Sequence, residues 1–146
     1  MKSVVALLVL GLVGCASTGT APSATGRDLW AAPIALDSAD VPHSGYLDEI
    51  RKAIREKWGY PCVANETTRQ CEYKTTKLLI EFGLKKDGTV PYVKVLESSG
   101  YAIYDEFAVN AVKKAAPFPP IPDWLSKTGV PIHATFNYVV EQRSNP

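Results

Sequence analysis

Three cysteines and two histidines, Cys15, Cys62, Cys71, His43 and His133, are the residues of this chain whose types lend themselves to covalent or metal chemistry. A cysteine works as a nucleophile beside a base that takes its proton, and as a metal ligand when three or four donors converge. Their spacing supports neither role. Eight residues separate Cys62 from Cys71, so there is no Cys-x-x-Cys pair, and the histidines are not at ligand spacing. His133 sits inside an alternating apolar pattern and His43 precedes a helical one, with no third group to orient either as a base. We read the chain as not an enzyme, without metal or cofactor. Nucleic acid is equally disfavoured: 16 basic against 15 acidic residues leave no basic footprint, and Lys2 lies in a segment expected to be removed.

Met1-Lys2-Ser3 followed by the apolar run Val4 to Val13 has the charged start and short apolar core of a secretory signal, too short to span a bilayer as a helix. The run ends in Leu12-Val13-Gly14-Cys15, which resembles the lipobox of bacterial lipoproteins. The resemblance implies a signal peptide over residues 1–14, cleavage before Cys15, diacylglycerol on its thiol, and N-acylation, typically by palmitate. An ordinary secretory signal with an incidental Cys15 is the alternative. Several acyl chains anchor firmly, since each buried methylene contributes about 0.8 kcal/mol. Ala16 in place of an aspartate implies the outer membrane in double-membrane bacteria, with the inner membrane as the other destination. Such a compartment is oxidising. With Cys15 committed to lipid, Cys62 and Cys71 form a disulfide with nothing left over, and closing that loop stabilises by roughly 2–3 kcal/mol.

Residues 15–42 are rich in Ala, Ser, Thr, Gly and Pro and read as a flexible tether reaching about 30 Å. Leu29, Trp30 and Ile34 interrupt it, either as a strap packed on the domain or as a separate docking motif. Ser44 is placed to cap a helix with Asp48 and Glu49 in its first turn and Leu47, Ile50, Ile54 and Trp58 on one face, stopped by Gly59 and Pro61. Leu78, Ile80, Phe82 and Leu84 alternate as a strand with one buried face, Asp87-Gly88 turns it, and Val93 and Val95 continue that face on the return. Pro91 puts the returning strand at a sheet edge. A second helix follows Ser98-Ser99-Gly100, with Tyr104, Phe107, Ala108, Ala111, Val112 and Ala115 inward; Pro117 to Pro122 is then a packed extended connector, and Ile132 to Val140 is the last strand. The fold expected for residues 43–146 is α+β in two layers: a three-stranded antiparallel sheet, order 2-1-3, with both helices on one face and the outer edge of the last strand open.

Trp58-Gly59-Tyr60-Pro61, Lys86-Asp87-Gly88-Thr89-Val90, Glu97-Ser98-Ser99-Gly100, Asp105 with Ala108 to Val112, and Ala115-Ala116-Pro117-Phe118-Pro119-Pro120 occur in the order and spacing of the carboxy-terminal domain of the TonB family, of which the terminal domain of TolA is a close structural relative. The resemblance runs from Tyr46 onward, roughly two-thirds of the chain. It implies a periplasmic domain that binds short extended peptides of outer-membrane receptors by adding them as a strand to its free edge. Carried onto this sequence, the peptide-binding edge is Ile132, His133, Ala134, Thr135, Phe136, Asn137 and Tyr138. A TonB energy transducer also has an amino-terminal transmembrane helix and a long proline-rich spacer, which this sequence lacks. The segment from Cys62 to Cys71 replaces a shorter connection, and Tyr104 stands where a leucine is common.

The function expected is therefore that of a membrane-anchored binding module. It engages an outer-membrane receptor or another envelope protein through its last strand, in connection with TonB-type transmembrane transport. A TolA-like lipoprotein that organises the envelope, and a purely structural envelope lipoprotein, are the alternatives. Homodimer formation through the same edge stays open.

Overall fold

The computed structural model describes residues 30–38 and 44–141. The signal segment, Cys15, His43 and most of the tether lie outside the described residues. Among those described, the chain forms β1 (Ile34–Ala35), α1 (Ser44–Lys57), β2 (Val63–Ala64), β3 (Cys71–Glu72), β4 (Thr76–Lys85), β5 (Val93–Glu97), α2 (Ala102–Ala115) and β6 (Gly129–Tyr138).

The alternation in β4 decides the layering. Its even residues Leu78, Ile80, Phe82 and Leu84 are fully buried, as are Val130, Ile132, Ala134, Phe136 and Tyr138 across the sheet. They meet Leu47, Ile50 and Ile54 of α1 and Tyr104, Ala108, Ala111 and Val112 of α2 in one core. Truncating such a residue to alanine costs about 2–5 kcal/mol. β4 pairs antiparallel with β6 along its whole length, from Thr76 opposite Tyr138 to Lys85 opposite Gly129. On its other side β4 pairs antiparallel with β5, with a bulge between Leu79 and Ile80. Pro91 falls just before this edge strand, and Val95, opposite Ile80 and so on the helix-side face as expected, is 37% exposed at the sheet edge.

The order β5-β4-β6 is the expected 2-1-3, but the sheet has a fourth strand. β1 lies parallel on the outer side of β6, with Ile34 opposite Ile132 and Ala35 opposite His133. The outer edge of the last strand is thus not open along its whole length. The cause is the apolar patch in the tether: Leu36 is 5% exposed and belongs to the core, and Trp30 lies on the sheet. Two smaller expectations also give way. α1 begins at Ser44 itself, so Asp48 and Glu49 fall in its second turn, where Asp48 pairs with Arg51 at 2.7 Å. Phe107 is exposed and packs over Gly59 instead of inward.

Three local devices hold the layers in register. Gly88, at φ +86°, makes the turn after β4, and a Cβ there would stand 1.9 Å from the Phe118 carbonyl oxygen, so the proline connector closes directly on the turn. The Phe118 amide donates to the Gly88 carbonyl at 2.9 Å, and Phe118 and Ile121 are buried. Tyr46 of α1 donates its hydroxyl to the Pro119 carbonyl at 2.8 Å, and burial pushes its phenol up to about 12. The Cys62–Cys71 disulfide, with Cα atoms 5.4 Å apart, closes the small β2–β3 hairpin.

Asp105 joins the end of β5 to the start of α2. Its carboxylate accepts bonds from the Ser98 hydroxyl (2.5 Å), the Ser99 hydroxyl (2.6 Å) and the Ser99 amide (2.8 Å). Burial pushes this carboxyl upward, but the bonds from Ser98 and Ser99 outweigh it and hold its pKa below the ordinary value. A lowered folded-state pKa contributes stability that is present above the unfolded value and lost as pH falls through the folded one. Asp105→Ala should therefore cost about 2 kcal/mol in denaturant unfolding at neutral pH. The gap between variant and parent should close as pH drops below about 4, the ordinary aspartate range.

Candidate functional site

The outer edge of β6 is read from the direction of its backbone groups. Gly83 and Lys85 of β4 donate their amides towards β5, to the Tyr92 and Thr89 carbonyls at 3.1 and 2.9 Å. Their partners across the ladder, Pro131 and Gly129, therefore turn their backbone groups away from β4. The outward row of β6 is Gly129, Pro131, His133, Thr135 and Asn137. Pro131, which has no amide hydrogen, falls in this row, where it removes nothing from the β4–β6 ladder.

The first half of the row is occupied. Gly129 accepts from the Ala31 amide at 3.1 Å, and His133 accepts from the Leu36 amide at 2.7 Å. β1 then leaves the edge, and the Leu36 carbonyl accepts instead from Nε of Arg51 on α1 at 3.0 Å. From Thr135 to Tyr138 no strand among the described residues pairs with the outer side. Beside this stretch lies an open groove of about 90 Å³ between α1 and β6, lined by Arg51, Ile54, Arg55 and Trp58 on one side and Ala134, Thr135 and Phe136 on the other. The end of β1, Leu36 and Asp37, forms its near wall.

The seven edge residues expected from sequence thus divide three ways. Ile132, Ala134, Phe136 and Tyr138 turn their side chains into the core. Thr135 and Asn137 are exposed on the face away from the helices. His133 lies on that same face and pairs through Nε2 with Oε2 of Glu81 at 3.0 Å. Glu81 is 6% exposed and also accepts from the Tyr92 hydroxyl at 3.2 Å, which is how a carboxylate is tolerated there. In the sequence Glu81 occupies a solvent-side position of an alternating strand, and its burial follows from the aromatic residues that cover it.

An aromatic cluster fixes the far end of the edge. Trp58 donates Nε1–H to the Tyr138 hydroxyl at 2.8 Å, and Tyr138 donates to the Tyr104 carbonyl at 3.1 Å. The rings of Tyr104 and Tyr138 stack at 4.4 Å, and Tyr60 packs on both Tyr138 and Tyr73. Burial raises the Tyr138 phenol pKa, outweighing the bond from Trp58. The Tyr104 hydroxyl accepts the Lys74 amide at 2.8 Å just after the disulfide hairpin. Tyr104 and the inserted hairpin, which stood apart as two departures in the sequence, are one structural unit.

Among the described residues no three His, Cys, Asp or Glu side chains gather as a metal site. No helix there is long and apolar enough to cross a membrane.

Comparison with solved structures finds the solution structure of the TonB carboxy-terminal domain of Helicobacter pylori, 22% identical, with a TM-score of 0.50 over 73% of this chain and 98% of that one. It shares the fold. The solution structure of TolAIII bound to a peptide derived from the N-terminus of TolB is 20% identical, with a TM-score of 0.44 over 67% of this chain and 74% of that one. No curated protein matches the sequence. The family model described as TonB C terminal matches residues 43–136, the span that holds both helices and all but the end of the last strand. The chain belongs to the TonB C-terminal family.

Proposed function

We propose that this protein is a non-catalytic binding module of the cell envelope that takes an extended segment of a partner protein as an added strand on β6. The observation that carries this reading is the stretch Thr135–Tyr138. Its outward backbone groups are left without a strand partner among the described residues, beside a groove on α1. A segment added there gains affinity from backbone hydrogen bonds, while every second side chain faces the groove and supplies selectivity. Ile54 and Trp58 offer it apolar surface, and Arg51 and Arg55 stand at the rim.

The partner is an outer-membrane receptor or another envelope protein, and the domain works on the periplasmic side, held by lipid on Cys15. The outer membrane is favoured over the inner one, on the strength of Ala16. A lipid anchor does not reach a proton channel within the inner membrane, so the module assists or competes with a transducer instead of driving transport itself. β1 favours a second reading, a structural lipoprotein whose edge is blunted by its own chain, since natural sheets commonly cover such edges.

Three experiments test this reading. Cys15→Ser should abolish incorporation of labelled palmitate and move the protein from the membrane to the soluble fraction; unchanged fractionation would refute the anchor. Photo-crosslinking in cells from positions 135 and 137 should capture an envelope protein through an extended segment. Asn137→Pro removes one outward donor and none of the β4 ladder, so it should weaken that partner about three- to tenfold with the fold intact. Undiminished binding by a folded Asn137→Pro protein would sink strand addition, and exclusive self-crosslinks or none would favour the structural reading.

A further inference from the structure

Residues 30–36 do more than cover the upstream half of the edge, because each of their three anchors sits in a receptor built by the domain. Trp30 lies on β4 and β6 where both carry glycine. A Cβ at Gly83 would stand 2.5 Å from the Trp30 ring, and one at Gly129 would stand 3.3 Å from it. The ring is stacked against Tyr92 with centroids 5.7 Å apart. The two glycines and Tyr92 form a saddle that holds the flat Trp30 ring. Four residues on, Ile34 pairs parallel with Ile132 and packs against the core. Two further on, Leu36 is buried in that core, its amide on His133 and its carbonyl on Arg51. The aromatic seat, the aliphatic seats and the arginine clamp belong to β4, β6, the Tyr92 segment just before β5, and α1.

The ladder that accompanies these anchors is slight. β1 is two residues long, and Pro33 precedes it. Individual backbone bonds contribute little net free energy, so so short a strand is held mainly by its side chains. It also lies in the path of any longer occupant. A segment that pairs with the outward row from Gly129 to Asn137 needs the Gly129 and His133 carbonyls that Ala31 and Leu36 now use.

We propose that residues 30–36 are a ligand in cis of this site. The partner segment that fills the whole edge carries the same three anchors, an aromatic residue followed four and six positions later by aliphatic ones. This rests on strand addition at β6 and names both the chemistry of the partner and its built-in competitor. Binding in trans then requires the strap to leave, and the apparent affinity is lowered by the fraction of molecules with the strap seated.

The test uses the full chain and a fluorescent synthetic peptide with the sequence of residues 28–38. The wild-type protein should bind it weakly. Trp30→Ala, which empties the saddle, should bind it about tenfold more tightly or better, and the same peptide with its tryptophan replaced by alanine should not bind either protein. Equal binding by wild type and Trp30→Ala, or no binding by either, would overturn the proposal. Should Trp30→Ala fail to fold, the isotope-labelled wild-type chain serves. Excess unlabelled peptide should speed hydrogen exchange at its Ala31 and Leu36 amides, and unaltered protection of both would overturn the proposal. The two readings fail separately. A partner crosslinked at position 137 whose affinity is the same for wild type and Trp30→Ala leaves strand addition standing and removes the competitor, whereas loss of strand addition shows as binding insensitive to Asn137→Pro.

Discussion

The ten-residue ladder between β4 and β6, from Thr76 opposite Tyr138 to Lys85 opposite Gly129, is the constraint on which the rest of the molecule depends. Because side chains alternate with a period of two, its register sends one set of residues into the helix layer and the other to the far face. The same register decides backbone direction, sending the groups of Gly129, Pro131, His133, Thr135 and Asn137 outward. A slip of β6 by one residue against β4 would turn His133 under the helices and Ile132 to the far face. It would also place Pro131 in the inner ladder. Core, edge and strap are therefore set by one choice.

The two faces of the sheet are covered by different means. The helix side is a continuous apolar core. On the other face a small polar and aromatic set, Glu81, His133, Tyr92 and Trp30, lies over strand positions where β4 and β6 carry Gly83 and Gly129. A buried carboxylate is costly unless bonded, and Glu81 is bonded by His133 of β6 and by Tyr92 just before β5, so this cluster ties β6 and the segment entering β5 to β4. Trp30 then brings the tether onto that face, which is how a segment with the composition of a leash comes to end in a strand.

An aromatic cluster holds the far end of the β6 edge. Trp58 at the end of α1, Tyr104 of α2 and Tyr138 of β6 share hydroxyl and indole bonds and stacked rings. Lys74 reaches the same cluster from the disulfide hairpin. Edge residues Thr135 to Tyr138 are thus tied through Tyr138 to Trp58 and to Tyr104 of α2. The groove beside them is bounded by α1 on one side and by the chain's own strap at one end.

The sequence by itself determined the layering and the order of the three principal strands. Leu78 to Leu84, Asp87-Gly88 and Ile132 to Tyr138 act through alternation and turn chemistry, which are local, although the last strand starts earlier, at Gly129, and stops short of the expected Val140. The Cys62–Cys71 disulfide was legible too, as the pair left once Cys15 is set aside. Tertiary structure decided the occupancy of the edge. Nothing local makes Ile34 and Ala35 a strand: two residues after a proline have no periodicity to read, and they pair where residues distant in sequence meet, Gly83, Gly129 and Tyr92 to seat Trp30 and the core to seat Leu36. The buried pair of Glu81 and His133, fifty-two positions apart, and the reach of Arg51 to Leu36 have the same origin. Local propensity writes the strands and helices of this protein. Which edge is filled, and by which part of the chain, depends on surfaces that exist only once the sheet has closed.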